Sequence, residues 1–155
     1  MGGKEISLLS LKDKDLLTSI KTMTNNSQKF VVIQKYLKQI KDGDTRILMT
    51  NGIVHENVLV RYPPKNDFRA NLSYGGKFKV QKINHKHLSH LKDIAIYLKN
   101  NRIYFAGVDM IGDYITEINI TSPTGIQQIE LKDKNLSSSI ANQFIKIVEQ
   151  YYDDK

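Results

Sequence analysis

Two carboxylates and an amide in the last third of the chain supply the oxygen ligands that hard divalent cations prefer. Glu117 and Asn119 lie two residues apart, so on a β-strand they point to the same side. A turn at Gly112-Asp113 would fold the segment into a hairpin and bring Asp109 roughly opposite them. Because the flanking residues are apolar, a buried acid there needs a partner. The pattern predicts a Mg²⁺ or Mn²⁺ site completed by nucleotide phosphates, or a salt bridge with Lys or Arg at the rim of the sheet.

Arg46 and Arg61 lie on the two strands of another predicted hairpin. Its turn is Asn51-Gly52, and both residue types tolerate the positive φ that a tight type I′ turn requires. The guanidinium fork of arginine binds phosphate or carboxylate through two hydrogen bonds. The two arginines are therefore candidate anion contacts, although a pair of exposed strand arginines fits the same pattern.

A long loop without a periodic apolar pattern follows this hairpin, at about residues 62–77. It carries Arg69 and Asn71, and then the pair Gly75-Gly76. A loop of this length inside a compact domain is typically functional or disordered. Flexible glycines beside a cationic side chain predict a lid that closes over an anionic substrate and excludes water. A merely disordered loop is the alternative.

The elements that must position these residues are helices and short strands. Gly2 and Gly3 precede the first predicted strand, and their backbone N–H groups could cradle phosphate. Apolar periodicity predicts helices over residues 14–23, 86–98 and 136–151, and strands over residues 6–9, 30–33, 46–50, 53–62, 103–111 and 114–120. Two hairpins among helices predict an α+β fold with a mainly antiparallel sheet.

Composition narrows the class of protein. The 155 residues fit one domain, and 40% hydrophobic with 25% charged residues are ordinary for a folded protein. The absence of cysteine and of any apolar run of about 20 residues predicts a cytoplasmic protein without a membrane span. The net charge of +7 comes mainly from lysines spread along the chain, since only four basic residues are arginines. A nucleic-acid-binding module needs clustered charge, so it ranks last among the possible functions.

Several ordered motifs carry a resemblance to a known family. The strongest is the stretch 105–113, Phe-Ala-Gly-Val-Asp-Met-Ile-Gly-Asp, which continues through residues 116–123 as Thr-Glu-Ile-Asn-Ile-Thr-Ser-Pro. Lys-Asp-Gly-Asp-Thr-Arg at 41–46 and Arg-Ala-Asn-Leu at 69–72 precede it at compatible spacing. In these motifs the chain resembles the C-terminal part of bacterial glutathione synthetase, an ATP-grasp ligase. The resemblance runs from Gly2 to about Glu130 and more loosely to the end.

The resemblance implies a fold, an activity and a cofactor. The fold is the C-terminal lobe of an ATP-grasp domain. In the family, ATP phosphorylates the cysteinyl carboxylate of γ-glutamylcysteine, and the amine of glycine then attacks the acyl phosphate to give glutathione. Mg²⁺ or Mn²⁺ accompanies ATP. By resemblance Asp109, Glu117 and Asn119 are the metal ligands, while Arg46 and Arg61 contact the reacting anions.

The resemblance also implies site residues on the nucleotide side, on the substrate side and in the lid. Those on the nucleotide side are Gly2, Gly3, Gln34, Tyr36, Leu37 and Asp44. Those of the lid and the substrate side are Arg69, Asn71, Gly75, Gly76 and Ser122.

The chain also departs from the family pattern. The family's substrate-binding domain and first ATP-grasp lobe have no counterpart, so we expect residues 1–155 to form one partial ATP-grasp domain that begins inside the glycine-rich phosphate loop. One hypothesis is an enzyme that is active together with a separate N-terminal half. In a variant of this hypothesis the chain self-associates through the face of the nucleotide cleft that the missing lobe would have covered. The alternative is a catalytically inactive remnant. The sequence leaves open which of the two holds, and therefore whether the chain alone is an enzyme.

Overall fold

A computed structural model describes residues 6–70 and 75–153, which belong to two compact units, Met1–Lys38 and Gln39–Lys155. The first unit contains helix α1, Leu16–Met23, which starts two residues later than predicted. The helix ends where predicted, because residues 25–27 all adopt positive φ. No residue among the described positions 6–38 is buried.

Two predicted strands of the first unit do not form. Residues 6–9 and 30–33 have no regular secondary structure. Phe30, Val32 and Ile33 are instead exposed side chains. β-branched and aromatic residues favour a strand only where they pack against a neighbouring strand, and these residues pair with none. The apolar run was therefore an insufficient signal.

The second unit is built on a six-stranded antiparallel sheet. Its strands are β1 Asp44–Thr50, β2 Ile53–Val54, β3 Asn57–Tyr62, β4 Lys77–Lys82, β5 Phe105–Ile111 and β6 Tyr114–Asn119. Their order is β4-β3-β1-β5-β6, with β2 paired to the end of β1. Both predicted hairpin turns form, and Asn51 and Gly52 have the positive φ values of 50° and 82° that the tight turn needs. The single strand predicted over residues 53–62 is, however, divided into β2 and β3 at residues 55–56.

Three helices pack around this sheet. They are α2 His85–Asn100, α3 Ile126–Ile129 and α4 Leu136–Asp153. Asn84 caps the N-terminus of α2, and its side chain accepts a hydrogen bond from the backbone N–H of Lys86 at 3.1 Å. A short 3₁₀ helix spans Lys38–Asp42. The expected α+β architecture is thus confirmed, whereas β4, α3 and the 3₁₀ helix were not predicted.

The two faces of the sheet differ in what covers them. On one face Ile47, Val60 and Val108 join Leu91 and Ala95 of α2 in the larger hydrophobic core. The other face is apolar at one end only, where the second core packs against α3 and α4 and consists of Leu48, Leu59, Val80, Ile129, Leu136 and Ile140. The remaining part of that second face is polar, and it carries the candidate site.

No helix in the described part of the chain combines the length and the apolar character that crossing a bilayer requires.

Candidate functional site

Four charged side chains from three neighbouring strands form what we call the ionic cluster: Asp44, Arg46, Arg61 and Asp109. Asp44 and Arg46 are two residues apart on β1 and therefore share a face. In the strand register Arg46 lies opposite Asp109 of β5, and Asp44 lies opposite Arg61 of β3. Directly opposed residues of an antiparallel pair share a face, so all four side chains meet on the same side of the sheet.

The central contact of the ionic cluster is a buried, two-pronged ion pair. Arg46 Nε donates to Asp109 Oδ1, and Arg46 Nη2 donates to Asp109 Oδ2 at 2.7 Å. Only 6% of Arg46 and 4% of Asp109 is exposed. Arg61 Nη2 bonds Asp44 Oδ2 at 2.5 Å and lies 3.0 Å from Asp109 Oδ2. The predicted alternative of an ion pair at Asp109 is therefore observed, but in the interior of the unit rather than at the rim.

Burial and charge act in opposite directions on the acids and bases of the cluster. Burial raises the pKa of Asp44 to about 6, and the charge of Asp109 adds to the rise, while Arg61 and Arg46 oppose it. For Arg46, burial lowers the pKa, but the hydrogen bonds and charge of Asp109 more than offset this and the pKa is raised. Arg46 consequently stays cationic, whereas the Asp44 carboxylate takes up a proton when the pH falls to about 6.

Two polar atoms of the cluster are buried without a hydrogen-bond partner in the described part of the chain. They are the donor Arg61 Nε and the acceptor Asp44 Oδ1. A buried polar atom without a partner costs free energy, and such atoms call for a functional explanation. Arg61 therefore contacts Asp44 and Asp109 through Nη2, while its Nε–H group is enclosed without a partner among the described residues.

Glu117 and Asn119 of β6 lie beside the ionic cluster, as the sequence predicts. Asp109 pairs with Glu117 in the strand register, and Gly107 pairs with Asn119. The Asn119 amide lies 3.5 Å from Asp109 Oδ2. In its alternative orientation the amide nitrogen donates to Glu117 Oε1 at 2.9 Å and the amide oxygen accepts from Arg46 Nη2 at 3.2 Å.

A β-bulge brings these side chains to one face. Tyr114 pairs with Ile111 and Ile115 with Met110, but the register then shifts, so that Thr116 is the extra residue. If β6 continued in the regular register without a bulge, Thr116 would pair with Asp109, and Glu117 would lie on the opposite face from Asp109. The expectation that Asp109 lies opposite the acid and the amide is correct, although the sequence argument did not include the bulge.

The donor set of this part of the site is compatible with magnesium or manganese. Two carboxylates and one amide within hydrogen-bonding reach of one another provide only oxygen ligands, which these cations prefer. Glu117 is exposed, so ligands from outside the chain can complete the coordination. Over residues 6–70 and 75–153 no cluster of three or more carboxylate, imidazole or thiolate side chains suited to a metal occurs. A cation here therefore depends on the amide and on external oxygens.

The loop after β6 also reaches the ionic cluster, which the sequence argument missed. Arg46 Nη1 donates to the backbone oxygen of Thr124 at 3.1 Å and lies 3.5 Å from its hydroxyl. Ser122, which the resemblance places on the substrate side, is exposed two residues earlier. A signal for this contact was present in Gly107, because glycine inside a strand often marks a close approach of other groups.

The predicted lid is described in two pieces, residues 62–70 and 75–77. Arg69 Nη2 and Asp67 Oδ2 form an ion pair of 2.7 Å, and this hydrogen bonding lowers the pKa of Asp67 to about 2. Gly75 adopts a positive φ of 79° with open space around its Cβ position. Gly76 follows it just before β4, while Asn71 lies outside the described residues.

The other nucleotide-side predictions fall in the first unit or outside the described chain. Gln34, Tyr36 and Leu37 belong to the first unit, where Leu37 is half-buried and the other two are exposed. Gly2 and Gly3 lie outside the described residues. The site assembled within the second unit therefore consists of the ionic cluster, Glu117, Asn119 and the loop at Thr124.

Comparison with known proteins places the chain in a family. The family model described as the ATP-grasp domain of prokaryotic glutathione synthetase matches residues 1–134. The chain belongs to this family. The match confirms the resemblance, and together with the antiparallel sheet flanked by helices it confirms the expected ATP-grasp fold.

Alignments with individual glutathione synthetases cover most of this chain but less than half of each relative. The protein of Coxiella burnetii is 36% identical over 152 residues, which is 98% of this chain and 46% of that protein. The protein of Buchnera aphidicola is 42% identical over 88% of this chain and 42% of itself. The protein of Pseudomonas aeruginosa is 37% identical over 84% of this chain and 41% of itself. This chain thus spans somewhat less than half the length of the curated relatives it matches.

Proposed function

We propose that the chain carries the metal- and phosphate-binding part of a glutathione synthetase site and serves the ATP-dependent ligation of γ-glutamylcysteine to glycine. The observation that carries this proposal is the meeting of Asp109, Glu117 and Asn119 on one face, beside the buried Arg46 and the half-buried Arg61. Oxygen ligands for a cation next to guanidinium groups are what a phosphoryl-transfer site requires.

In this proposal Asp109, Glu117 and Asn119 hold Mg²⁺ or Mn²⁺, which when bound neutralises negative charge on the phosphates of ATP. Arg61, whose Nη2 lies beside Asp44 and Asp109, is in this proposal a second contact to phosphate or to the peptide carboxylate. Arg46 supplies a second permanent positive charge close by, because Asp109 keeps it protonated. These residues orient and stabilise anions rather than move protons.

The surrounding residues would bind and enclose the substrates. Asp44 faces the nucleotide side, and the loop at Ser122 lies on the substrate side. Arg69, Asn71, Gly75 and Gly76 form a lid that excludes water from the acyl phosphate. Gln34, Tyr36 and Leu37 line the adenine pocket, while Gly2 and Gly3 contact phosphate. The half of the family's active site that this chain does not match would come from a complementary chain or from self-association.

The test is calorimetric titration of ATP into the chain with and without Mg²⁺, using Glu117→Gln as the main variant. Glu117 is exposed and the change preserves its shape, so the fold should be unaffected. We expect Mg²⁺-dependent affinity to fall about tenfold or more, the scale seen when groups around a metal are altered. The matched control is Glu149→Gln on α4, which removes the same charge from an exposed helical position.

Equal Mg²⁺-dependent affinity in the Glu117→Gln variant would overturn the metal assignment. Phosphate release is then measured after γ-glutamylcysteine and glycine are added to the ATP-bound chain. Metal-dependent binding without turnover would identify either a non-catalytic nucleotide-binding remnant or a half-site that needs a second chain for activity. Turnover restored by a chain carrying the other half of the site would decide between these two outcomes.

A further inference from the structure

Gly107 occupies a position where its backbone does not require glycine. It lies inside β5, opposite Leu48 of β1 and Asn119 of β6. It is absent from the glycines with positive φ, so its conformation is one that other residues adopt readily. Glycine inside a strand costs stability, because it adds flexibility to the unfolded chain and has no side chain to pack. The reason for glycine here must therefore be space.

The space above Gly107 is filled by the side chain of Arg46. A Cβ atom at position 107 would lie 2.9 Å from Arg46 Cδ, 2.9 Å from Pro123 Cβ and 3.3 Å from Arg46 Nε. Contacts below 3.0 Å are closer than packed carbon atoms allow, so one of these groups would have to move. Gly125 packs against the same side chain, since a Cβ atom at position 125 would lie 3.6 Å from Arg46 Cγ.

The position of the Arg46 side chain over Gly107 determines which groups its guanidinium group can bond. Nε and Nη2 of Arg46 are directed at Asp109, and Nη1 is directed at Thr124. Arg46 thereby connects a proposed metal ligand on β5 to the loop that follows β6. A shift of its Cδ atom by a few tenths of an ångström would lengthen at least one of these hydrogen bonds.

We propose that Gly107 is a positioning residue: by having no side chain, it lets Arg46 lie flat across β5 and hold Asp109 and Thr124 together. The importance of this arrangement for ligation rests on the proposed function, but the arrangement itself does not. Gly107 acts through Arg46 and contacts no reactant.

The test uses the small number of arginines in the chain. With only four, the arginine Nε–Hε region of a nitrogen–proton NMR spectrum contains four side-chain signals, and Arg46→Lys assigns one of them. In Gly107→Ala we expect the Arg46 signal to move and its proton to exchange faster with water, because the bond to Asp109 is disturbed. The backbone amide signals at Thr124 and Gly125 should move with it.

The matched control is Gly112→Ala in the turn of the same hairpin. That change also strains the chain, because Gly112 has a positive φ of 59°, but its Cβ would meet Gln39 rather than Arg46. We expect it to lower stability and leave the Arg46 signal unchanged. An Arg46 signal that stays in place in Gly107→Ala would overturn the proposal.

A second measurement applies if Gly107→Ala folds poorly. The factor by which Gly107→Ala raises the unfolding equilibrium constant is compared in the natural chain and in Arg46→Ala. We expect a factor of about ten or more in the natural chain, as for other overpacked sites, and a smaller factor once the arginine is gone. The contact with Pro123 is present in both backgrounds, so the difference between the factors isolates Arg46. Equal factors would also overturn the proposal.

These readouts separate the two proposals. Neither the NMR signal nor the unfolding constant involves nucleotide, metal or substrate. A chain that binds no ATP but shows the Arg46 shift would contradict the proposed function and support the positioning role. Normal Mg²⁺-dependent ATP binding with an unmoved Arg46 signal would support the proposed function and contradict the positioning role.

Discussion

Arg46 and Asp109 are each tolerated in the interior because the other is present. Replacing Arg46 by Met would leave the Asp109 carboxylate with Arg61 Nη2 at 3.0 Å and the Asn119 amide at 3.5 Å, and without its two-pronged partner. Breaking one side of a buried ion pair typically costs about 3–5 kcal/mol, because a buried charge loses its compensation. We expect the free energy of unfolding, measured with urea, to fall by an amount of that size in Arg46→Met.

Two comparisons make this prediction specific. Arg102→Met removes the same side chain from an exposed position and should change stability little. Arg46→Met combined with Asp109→Leu removes both charges and should regain much of the lost stability, since a buried pair adds little over apolar packing. A double variant no more stable than Arg46→Met alone would show that the cost does not come from the unpaired carboxylate.

At the scale of elements, the β-bulge determines which residues of β6 reach the site. Thr116 is the extra residue of the bulge, and Glu117 and Asn119 follow it. Deleting Thr116 would remove the bulge and continue the regular register, in which Glu117 still faces Asp109. Deleting Ile118 would instead move Asn119 to the opposite face. We expect Mg²⁺-dependent ATP binding to survive the first deletion and to be lost in the second, with calorimetry as the measurement.

The paired deletions control for each other, because each shortens the same edge strand by one residue. Circular dichroism should show that both chains keep the sheet. Loss of binding in both, or in neither, would contradict the assignment of the bulge as the feature that sets the register.

The sequence predicted the elements that have a local signal. Asn51-Gly52 and Gly112-Asp113 located both hairpin turns, and the spacing of Leu91, Ala95 and Leu98 located α2. β4 was missed because its sequence, Lys-Phe-Lys-Val-Gln-Lys, is dominated by lysine, and its status as a strand depends on pairing with β3. The apolar run 30–33 failed for the opposite reason, since it has strand propensity without a partner strand.

The candidate site divides in the same way. The pairing of Asp109 with Glu117 follows from one turn and the alternation of a strand, which a sequence reveals. The burial of Arg46, the contact with Thr124 and the approach of Arg61 to Asp109 join residues from distant parts of the chain. Such contacts depend on strand order and packing, which no local pattern in a single sequence specifies.

His55, in the connection between β2 and β3, makes the stability of the sheet depend on pH. It is buried, and its Nε2 lies 3.0 Å from Thr50 Oγ1. Burial lowers the pKa of His55 below 6.5, although the charge of Asp133 opposes the shift. As the pH falls below about 6.5 the unfolded chain binds the proton first, so stability is complete above that pH and declines below it. The Asp44 carboxyl, whose pKa burial raises to about 6, takes up its proton in the folded chain over the same range and opposes this decline. The contribution of His55 is therefore the difference between the natural chain and His55→Gln in urea unfolding between about pH 7.5 and about pH 5.

The histidine responsible can be identified by substitution. His55→Gln should flatten the part of the pH dependence that lies just below about pH 6.5, because glutamine does not titrate. His90→Gln, at an exposed position of α2, is the control and should leave the dependence as it is. An unchanged decline in His55→Gln would assign it to other groups.

At the scale of the whole molecule, part of the positive charge has a structural use. β4 is an edge strand, and Lys77, Lys79 and Lys82 on it are exposed. Lysines on an edge strand prevent the pairing of its free N–H and C=O groups with another chain. This use requires no nucleic acid, and it agrees with the wide dispersal of lysine along the sequence.

The two units differ in what can hold them folded, and this leads to a prediction about the whole chain. Both hydrophobic cores lie in Gln39–Lys155, and no described residue of 6–38 is buried. Since buried apolar surface is the main source of stability, a chain of residues 39–155 should unfold cooperatively with nearly the urea midpoint of the full chain. Removal of α4 takes Leu136 and Ile140 out of the second core and should lower that midpoint strongly.

Hydrogen exchange provides an independent check of the difference between the two units. In the full chain the amides of α1 should exchange much faster than those of β1 and β5, because stability is distributed unevenly between such units. Protection of α1 equal to that of the central strands would show that the first unit gains its stability from contacts outside its own residues.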